Sequence, residues 1–423
     1  MNKTKRKDIY VYFDAFEGRQ PVFIGALSAT ASRGKEVFSF EYDSQWLNQK
    51  NRFVLDPALD FLTGHHYAPL DQSNFGIFLD SSPDRWGRFL MNRREALLAR
   101  EEVRPEKRLL ESDYLLGVHD EHRMGAIRFR LSEDGPFLDN NKKLASPPMA
   151  SLRELEQASL AIEKKDAENN QHYHQWLNML IAPGGSLGGA RPKASVVDEK
   201  NQLWIAKFPS RMDEFDVGAW EMLAYRLGVQ SGLVMSDAKL KRFNSENHTF
   251  LTRRFDRLQG GARVHFASAM TMLQRKDGDD ASMGVSYLEL AEFIERQGAN
   301  VIFDLEQLWR RILFSVCISN VDDHLRNHGF LLSQKGWVLS PAFDINPQPY
   351  SDGLKLNISE TDNTQSIELV KSVAPYFRLS KKRSGDIVNE MVGLLKQWRR
   401  EATRLGISAS EQEKMVSAFR LTS

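Results

Sequence analysis

The sequence is poor in cysteine, with Cys317 as the single example in 423 residues. A disulfide framework within one chain is therefore excluded. Cys317 lies in an apolar run, residues 312–318, where a buried structural thiol is expected. Neither sign of charge dominates, because 57 Lys and Arg residues oppose 56 Asp and Glu residues and leave a formal net charge of +1. Such a balance gives no general affinity for nucleic acid or for anionic membranes.

The sequence also lacks a long apolar run near its start. The basic segment M-N-K-T-K-R-K-D is followed by a short apolar stretch broken by Asp14. This pattern predicts neither a signal peptide nor a membrane span. With 41% hydrophobic and 27% charged residues, the composition is typical of a soluble protein of two or three domains. We therefore expect a cytoplasmic protein without a membrane partner.

The chain divides into three predicted parts. Short apolar runs separated by glycine predict a β-rich unit over residues 8–55, and a polar stretch at residues 132–148 marks the main boundary. The predicted parts are a β-rich N-terminal domain with helices at 1–148, a β-rich lobe at 149–258 and a helical lobe at 259–423. Apolar residues at helical intervals predict helices at 217–227, 287–297, 304–318, 384–405 and 408–421.

A glycine-rich run lies at the start of the second part. Residues 182–197 read A-P-G-G-S-L-G-G-A-R-P-K-A-S-V-V, and glycines around Ser186 let backbone N–H groups approach an anion. The run lacks the Walker spacing, so it is a weak signal by itself. Two strands are predicted after it, at 194–197 and 203–208. Lys207 interrupts the second strand among apolar neighbours, where a lysine either reaches water or contacts a phosphate.

A second motif lies near the end of the chain. Asp322 precedes Asn327 by five positions, and Asp344 follows a further apolar stretch. This is the Asp-to-Asn spacing of the protein-kinase catalytic loop, in which the Asp accepts a hydroxyl proton and the Asn holds a metal ion. Residues 329–339 are predicted to form two short strands around a turn at 333–336, which would bring the three groups to one cleft. An Asp-Asp-His run also caps helices, so this motif alone does not show that the segment is a catalytic loop.

The order of the motifs is more informative than any one of them. A glycine run, a strand, a strand with Lys207, a helix with Glu221, the Asp322 motif and Asp344 follow one another as in protein kinases. The segment T-F-L-T-R-R-F-D-R, residues 249–257, is predicted as a strand leading into a hinge against which an adenine packs. We therefore expect an α+β fold with a protein-kinase-like two-lobed core, nucleotide between the lobes, and a preceding β-rich domain.

Several segments resemble the HipA family of serine/threonine kinases, the toxins of bacterial toxin–antitoxin modules. They are G-I-F-L-D-S-S-P-D-R-W-G-R, S-L-G-G-A-R-P-K, W-I-A-K-F-P, R-R-F-D-R, N-V-D-D-H-L-R-N and F-D-I, and together they span most of the chain. The resemblance implies ATP and Mg²⁺ as cofactors, Asp322 as the catalytic residue, and Asn327 and Asp344 as metal ligands. The nucleotide contacts that it implies are Gly188, Gly189, Ala190, Arg191, Pro192, Lys193, Lys207, Arg253, Arg254, Phe255, His324, Asn327 and Asp344.

The chain departs from the family pattern at three places. Arg191-Pro192 stands where members more often carry Gln-Glu, and Arg253 stands at an acidic hinge position. Glu221 is displaced by about a helical turn from the usual partner of the strand lysine. Whether Glu221 pairs with Lys207 therefore stays open.

The resemblance also implies regulation and partners. Family members phosphorylate a serine at the position of Ser186, and a phosphoryl group there would add about −1.5 to −2 charge beside the ATP phosphates. Because like charges repel strongly in a cleft with little water, nucleotide affinity would fall. The implied partners are a HipB-like helix-turn-helix antitoxin, through which DNA would be bound only indirectly, and a protein substrate such as an aminoacyl-tRNA synthetase.

Three other functions are compatible with parts of the pattern. Small-molecule kinases share the same layout. A metal-dependent hydrolase would use Asp322, Asp323, His324 and His328, with the histidines four residues apart on a helix. It leaves the glycine run and Lys207 without a role. The third alternative is a non-catalytic subunit that binds nucleotide and a DNA-binding repressor.

Overall fold

The structure is a computed structural model. It describes residues 6–15, 20–32, 34–49, 52–141, 147–184, 189–349 and 351–422. Two compact units are present, and each combines two stretches of chain. Unit 1 contains Met1–Arg211 and Asp256–Ala267, and unit 2 contains Met212–Phe255 and Ser268–Ser423. The predicted domain limits at 148 and 258 stay a prediction.

Helices and strands are both abundant, which confirms the predicted α+β class. The strands are β1 Arg6–Phe13, β2 Val22–Ser32, β3 Lys35–Tyr42, β4 His65–Tyr67, β5 Ile127–Arg130, β6 Lys193–Val197, β7 Leu203–Lys207, β8 Ala238–Lys241, β9 Thr249–Arg253, β10 Phe266–Ser268, β11 Gly329–Ser333 and β12 Gly336–Leu339. The helices are α1 Ser44–Leu47, α2 Gly76–Asp80, α3 Arg85–Glu101, α4 Glu111–Gly117, α5 Leu152–Ile162, α6 Tyr173–Gly184, α7 Val217–Gln230, α8 Ala269–Met272, α9 Tyr287–Gln297, α10 Val301–Ile318, α11 Ile367–Ser372, α12 Lys381–Leu395, α13 Trp398–Arg404 and α14 Ala409–Lys414. None of the helices that the structure describes combines the length and the apolar character needed to cross a bilayer.

Unit 1 contains an antiparallel sheet with the strand order β4-β3-β2-β1-β5. In β1, Ile9, Val11 and Phe13 are buried, whereas the residues between them are less buried, as the pleat of a strand requires. Gly25 of β2 has a φ of +153°, and a Cβ there would lie 2.2 Å from the carbonyl oxygen of Glu41. Glycine is therefore required at this point of the sheet. The predicted β-rich unit over residues 8–55 is confirmed by β1 to β3.

A second part of unit 1 is the antiparallel hairpin of β6 and β7. Lys193 lies directly opposite Lys207, and Val197 lies opposite Leu203. The predicted strands at 194–197 and 203–208 are each confirmed to within one residue. The hairpin extends beyond its last pair through a hydrogen bond from the Phe208 backbone N–H to the Pro192 carbonyl, 2.9 Å long.

Unit 2 is organised around α10, whose residues from Leu305 to Ile318 are almost all buried. Cys317 is fully buried in this helix, and burial raises the pKa of its thiol to about 12. This confirms the structural role predicted for the cysteine. The hairpin of β11 and β12 follows α10 in the chain, and the antiparallel pairing of Ser333 with Gly336 confirms the predicted turn.

The helix predictions are right in place but not always in length. The helix predicted at 287–297 is observed as α9, and the helix predicted at 304–318 begins earlier, at Val301. The helix predicted at 384–405 is divided into α12 and α13. After this break Trp398 stacks on Phe419, with ring centroids 4.3 Å apart. The predicted strand 249–257 is observed as β9 only as far as Arg253. The last β8–β9 pair is Ala238 with Thr252, and beyond it the Arg253 N–H bonds to the Asp237 carbonyl over 2.8 Å.

Candidate active site

The segment with Asp322 begins where α10 ends. Ser319 has a φ of +51° and a left-handed conformation, which stops the helix. The next residue, Asn320, is buried and donates from its side chain to Oγ of Ser315 over 3.1 Å. Its backbone N–H bonds to the carbonyl of the same serine over 2.8 Å. Asn320 therefore fixes the exit of the chain from the helix.

The two neighbouring carboxylates, Asp322 and Asp323, have opposite environments. Asp322 is exposed and Asp323 is buried. The backbone carbonyl of Asp322 accepts a hydrogen bond from Nδ2 of Asn327 over 3.0 Å and one from the backbone N–H of His324 over 3.1 Å. The side chain of Asn327 thus folds back against Asp322. Its nitrogen is occupied by this bond, so its oxygen is the atom left to act as a ligand.

Asp344 lies on the segment that follows β12. It has a φ of +58°, which aspartate tolerates better than most residues and which is enriched at functional sites. Two residues later, the backbone N–H of Asn346 donates to Oδ1 of Asn320 over 3.0 Å, and Gln348 N–H donates to the Ser319 carbonyl over 3.0 Å. The segments that carry Asp322 and Asp344 are therefore hydrogen-bonded to each other within unit 2.

Asp323 is held by two buried side chains. The hydroxyl of Tyr287 donates to its Oδ2 over 2.6 Å, and Nε2 of His328 lies 3.0 Å from its Oδ1. Burial opposes ionisation of Asp323, but the charge of His328 and the hydrogen bond from Tyr287 outweigh it, so the pKa of Asp323 is lowered. Burial, followed by the charge of Asp323, raises the pKa of Tyr287 well above its usual value. The ionised Asp323 is thus an internal anchor of the loop.

The histidine pair does not form the metal site of the hydrolase alternative. His324 precedes a short 3-10 turn, Leu325–Asn327, and no α-helix carries the two histidines on one face. His328 is turned toward Asp323 in the interior. Among the described residues, no group of three or more His, Cys, Asp or Glu side chains is placed to hold a metal ion. The helical arrangement predicted for the hydrolase is wrong.

The predicted hinge residues lie at the end of β9. Arg253 forms an ion pair with Asp237 over 3.1 Å, and both side chains are largely exposed. Arg254 is buried. The ring of Phe255 packs on Phe343, with centroids 5.4 Å apart, directly before Asp344. The hinge and the Asp344 segment are therefore in contact within unit 2.

The remaining predicted nucleotide contacts belong to unit 1. Ser186 and Gly188 lie outside the described residues. Ala190 is exposed, Arg191 is half-buried and Pro192 is buried. Gly189 has a φ of +94° and is followed after a short turn by Lys193. The Lys193 side chain is only 2% exposed, and its ammonium lies 3.3 Å from Oδ2 of Asp84.

Lys207 and Glu221 lie in different units. Lys207 is half-buried on the face of β7 that carries Leu203 and Ile205, whereas Trp204 and Ala206 on the opposite face are buried. Glu221 is buried in α7. A buried carboxylate needs a polar partner, and the roles of Lys207 and Glu221 stay predictions. Their pairing stays a prediction.

Sequence reasoning missed the contacts of Asp84 and Tyr287, and it named His328 only as a metal ligand of the hydrolase alternative. Asp84 has a signal in the sequence, because Asp before a helix is a strong N-cap, and its Oδ1 accepts the Gly87 N–H over 3.0 Å. The partner of its second oxygen, Lys193, has no such signal. Tyr287 is the first residue of α9, and the sequence pattern identifies it only as an apolar position of a helix.

Comparison with known proteins gives the family. The profile of the family described as "HipA-like C-terminal domain" matches residues 185–402, just over half of the chain. The chain belongs to this family. A HipA structure from Shewanella oneidensis MR-1, described as a toxin–antitoxin complex of HipA, HipB and operator DNA, matches 98% of this chain and 95% of its own, with a TM-score of 0.62 at 14% identity. The fold of this HipA-like chain is therefore the fold of that protein.

One curated relative matches the HipA-like chain in part. It is a Haemophilus influenzae protein named "Putative kinase", 28% identical over 188 residues, which are 40% of this chain and 54% of that protein. The chain thus spans about half the length of the curated relative that it matches. A solved Helicobacter pylori proinflammatory kinase, CtkA, matches 54% of this chain and 94% of its own, with 13% identity and a TM-score of 0.36.

Proposed function

We propose that the protein is an ATP- and Mg²⁺-dependent serine/threonine protein kinase that acts as the toxin of a toxin–antitoxin pair. The observation that carries this proposal is the arrangement of the Asp322 loop. Asp322 is exposed, Asn327 is bound back onto it, and Asn320 connects this loop to the segment of Asp344. Kinases need these three groups, an acceptor of the hydroxyl proton and two metal ligands, on connected segments.

The residues present fit the proposed cofactors. Mg²⁺ prefers oxygen ligands and is usually held by one or two carboxylates together with substrate phosphates. The carboxylate of Asp344 and the free amide oxygen of Asn327 supply such oxygens. When bound, Mg²⁺ would neutralise the charge on the phosphoryl group in transfer.

The chain's own residues would perform three tasks. Asp322, exposed at the surface of unit 2, would orient the acceptor hydroxyl and take its proton. Asn327 and Asp344 would hold the metal, and the bond from Asn327 to the Asp322 backbone would keep the base and this ligand in a fixed relation. Lys207 would bind phosphate oxygens.

A substitution of Asp322 tests the activity. We expect Asp322→Ala to lower phosphoryl transfer by on the order of 10² or more, because electrostatics and positioning supply most of such catalysis. ATP binding should persist, since Asp322 acts on the acceptor. The measurement is transfer of labelled γ-phosphate to protein, with the exposed Asp386→Ala in α12 as a control. Unchanged labelling by Asp322→Ala would refute the kinase proposal, and labelling of small acceptors alone would indicate a small-molecule kinase.

The protein substrate and self-regulation extend the proposal. An aminoacyl-tRNA synthetase is the proposed class of substrate, and Ser186 is the proposed site of inhibitory autophosphorylation. Both are supported by family membership, and the proposal for Ser186 is also supported by the glycine-rich sequence around it. Phosphoproteomics after expression of wild type and of Asp322→Ala would identify the substrate. Mass spectrometry after incubation with ATP and Mg²⁺ should find phosphate on Ser186, together with weaker ATP binding in that fraction.

A HipB-like helix-turn-helix antitoxin is the proposed partner. The support is the composition of the Shewanella complex, in which HipA is assembled with HipB and operator DNA. With a net charge of +1, this chain should add little phosphate attraction of its own. Gel-shift titration of operator duplex with the chain alone and with the antitoxin tests this. Tight binding of duplex by the chain alone would contradict the indirect role.

A further inference from the structure

A ring of hydrogen bonds surrounds the base of the Asp322 loop. Oγ of Ser319, the residue that ends α10, donates to Oε1 of Gln365 over 2.7 Å and accepts a hydrogen bond from Nη1 of Arg420 over 3.2 Å. The ring closes at the backbone carbonyl of Ser351, which accepts from Nε2 of Gln365 and from Nη2 of Arg420, each over 3.1 Å. Segments of unit 2 that are distant in the sequence are therefore connected at the start of the loop.

Ser319 needs the support that this ring gives. Its φ of +51° lies in the left-handed region, where a residue other than glycine is strained and is retained only when its surroundings hold it. Ser319 is also only 1% exposed, so its hydroxyl requires partners within the protein. Gln365, which is 5% exposed, and Arg420 are those partners.

Arg420 differs from the other members of the ring because it is exposed. It lies in the 3-10 turn Val416–Thr422, next to Phe419, which is buried and stacks on Trp398. The aromatic stack fixes this turn, and Arg420 extends from it to the buried hydroxyl of Ser319. Substitution of an exposed side chain usually changes global stability little. The bonds of Arg420 are therefore expected to order the structure around Ser319 rather than to hold the unit folded.

Ser319 is connected to both proposed catalytic segments. Asp322 lies three residues after Ser319 in the chain. The backbone carbonyl of Ser319 accepts the N–H of Gln348 over 3.0 Å, and Gln348 lies four residues after Asp344. A shift of Ser319 would thus move the proposed base, and a misplacement of about 1 Å can cost on the order of 10²-fold in rate.

We propose that Arg420 is a positioning residue for phosphoryl transfer, and that it acts by holding the Ser319 hydroxyl at the base of the Asp322 loop. This inference rests on the proposed kinase function. Without the guanidinium, Ser319 keeps its bond to Gln365 and the backbone bond from Gln348, so the segment stays folded. The loop that follows is then held less closely, which lowers the rate of transfer but not the binding of ATP.

Steady-state kinetics and calorimetry on the full chain test this role. We expect Arg420→Ala to lower kcat by on the order of tenfold and to leave KM for ATP unchanged, with ADP formation measured in the presence of dephosphorylated casein as the acceptor. Calorimetry should give the wild-type stoichiometry of ATP binding, which shows that the lower rate is not a loss of folded protein. Gln365→Met opens the ring on its other side and should also lower kcat. It serves as the second variant if Arg420→Ala does not fold.

Two controls separate positioning from general effects of the substitution. Arg383→Ala is the matched control, because Arg383 is also exposed in unit 2 and donates two hydrogen bonds, of 3.1 and 2.7 Å, to Glu306. It should leave kcat unchanged. The double variant of Ser319→Ala with Arg420→Ala tests whether the arginine acts through the serine. Its loss of kcat should be smaller than the product of the two single losses.

The outcomes distinguish this inference from the function on which it rests. Equal kcat in Arg420→Ala, Gln365→Met and Arg383→Ala, with an active wild type, overturns the positioning role alone. Losses that multiply in the double variant overturn it as well, and so does a raised KM for ATP with an unchanged kcat. A wild type that neither binds nor turns over ATP overturns the proposed function and this inference together.

Discussion

Tyr287 donates its hydroxyl hydrogen to Oδ2 of Asp323 over 2.6 Å, and both side chains are buried beneath the exposed Asp322. The first residue of α9 is thereby connected to the loop that carries the proposed catalytic carboxylate. His328, 3.0 Å from the other oxygen of Asp323, holds the far end of the same loop. The position of Asp322 therefore depends on its buried neighbour Asp323 as well as on the hydrogen bonds that its own carbonyl accepts from Asn327 and His324.

Removal of the Tyr287 hydroxyl should loosen this loop. We expect Tyr287→Phe to lower kcat by about ten- to a hundredfold, because a small displacement of a catalytic group has effects of this size. ATP binding should change little, since the hydroxyl faces Asp323. The measurement is kcat and KM for ATP with a protein acceptor. The control is Tyr376→Phe, whose hydroxyl bonds to Glu360 on the surface of the same unit. Equal kcat in both variants would contradict the anchoring role.

Asn320 should couple the proposed base to the proposed metal ligand. Its Oδ1 receives the Asn346 N–H over 3.0 Å, and Asn320→Ala removes this connection between the Asp322 and Asp344 segments. We expect kcat to fall on the order of tenfold or more and the Mg²⁺ concentration needed for half-maximal rate to rise. Asn320→Asp retains the accepting oxygen and should restore part of the rate. If alanine and aspartate have the same effect, the hydrogen bond to Asn346 is not the cause.

Local patterns allowed the sequence to predict much of this site. The hairpin at 329–339 follows from two short apolar strands around a turn ending in Gly336, and α9 follows from apolar residues at helical intervals. Both signals involve residues close in the chain. The spacing of Asp322 and Asn327 is equally local, because the side chain of Asn327 bonds to the Asp322 carbonyl.

Contacts between distant residues could not be predicted in this way. In the sequence, Lys193 is the last residue of a glycine-rich run that is typical of anion-binding loops. No residue near it in the chain predicts an ion pair with Asp84. Likewise, Tyr287 fits the apolar stripe of a helix as well as any aromatic residue would. Which buried polar groups meet depends on how separate elements pack, and hydrophobic periodicity carries no information on that.

Asp56 should make the stability of the protein depend on pH. Its carboxylate is buried and accepts backbone N–H groups of Ala58 and Ile77 over 2.8 and 2.9 Å, but burial still raises its pKa to about 6. Because the folded pKa lies above the unfolded one, its stabilising contribution is complete below the unfolded pKa and is lost as the pH rises to about 6. The pKa difference corresponds to about 3 kcal/mol.

Urea unfolding at pH 4.5 and pH 7.5 tests this dependence. From pH 4.5 to pH 7.5, the free energy of unfolding of the wild type should fall relative to that of Asp56→Asn, since asparagine cannot ionise. The exposed Asp60→Asn should show the wild-type dependence. If the free energies of unfolding of the wild type and Asp56→Asn differ by the same amount at both pH values, the pH dependence is not caused by Asp56.

Arg123 should be highly sensitive to substitution. Its guanidinium is fully buried and donates to the carbonyls of Ser81, Leu115, Val118 and Leu138 at 2.8 to 3.0 Å, and burial lowers its pKa to about 9. Arg123→Met has a similar length but removes the guanidinium donor from all four carbonyls. The Val118 carbonyl still accepts the Asp139 N–H over 2.9 Å, and each group that is left unsatisfied costs about 1–3 kcal/mol. We therefore expect unit 1 to unfold at a much lower urea concentration, or the variant to accumulate as insoluble protein. The exposed Arg85→Met in α3 is the control and should remain within about 0.5 kcal/mol of wild type. Similar unfolding midpoints for the two variants would show that the four carbonyls find other partners.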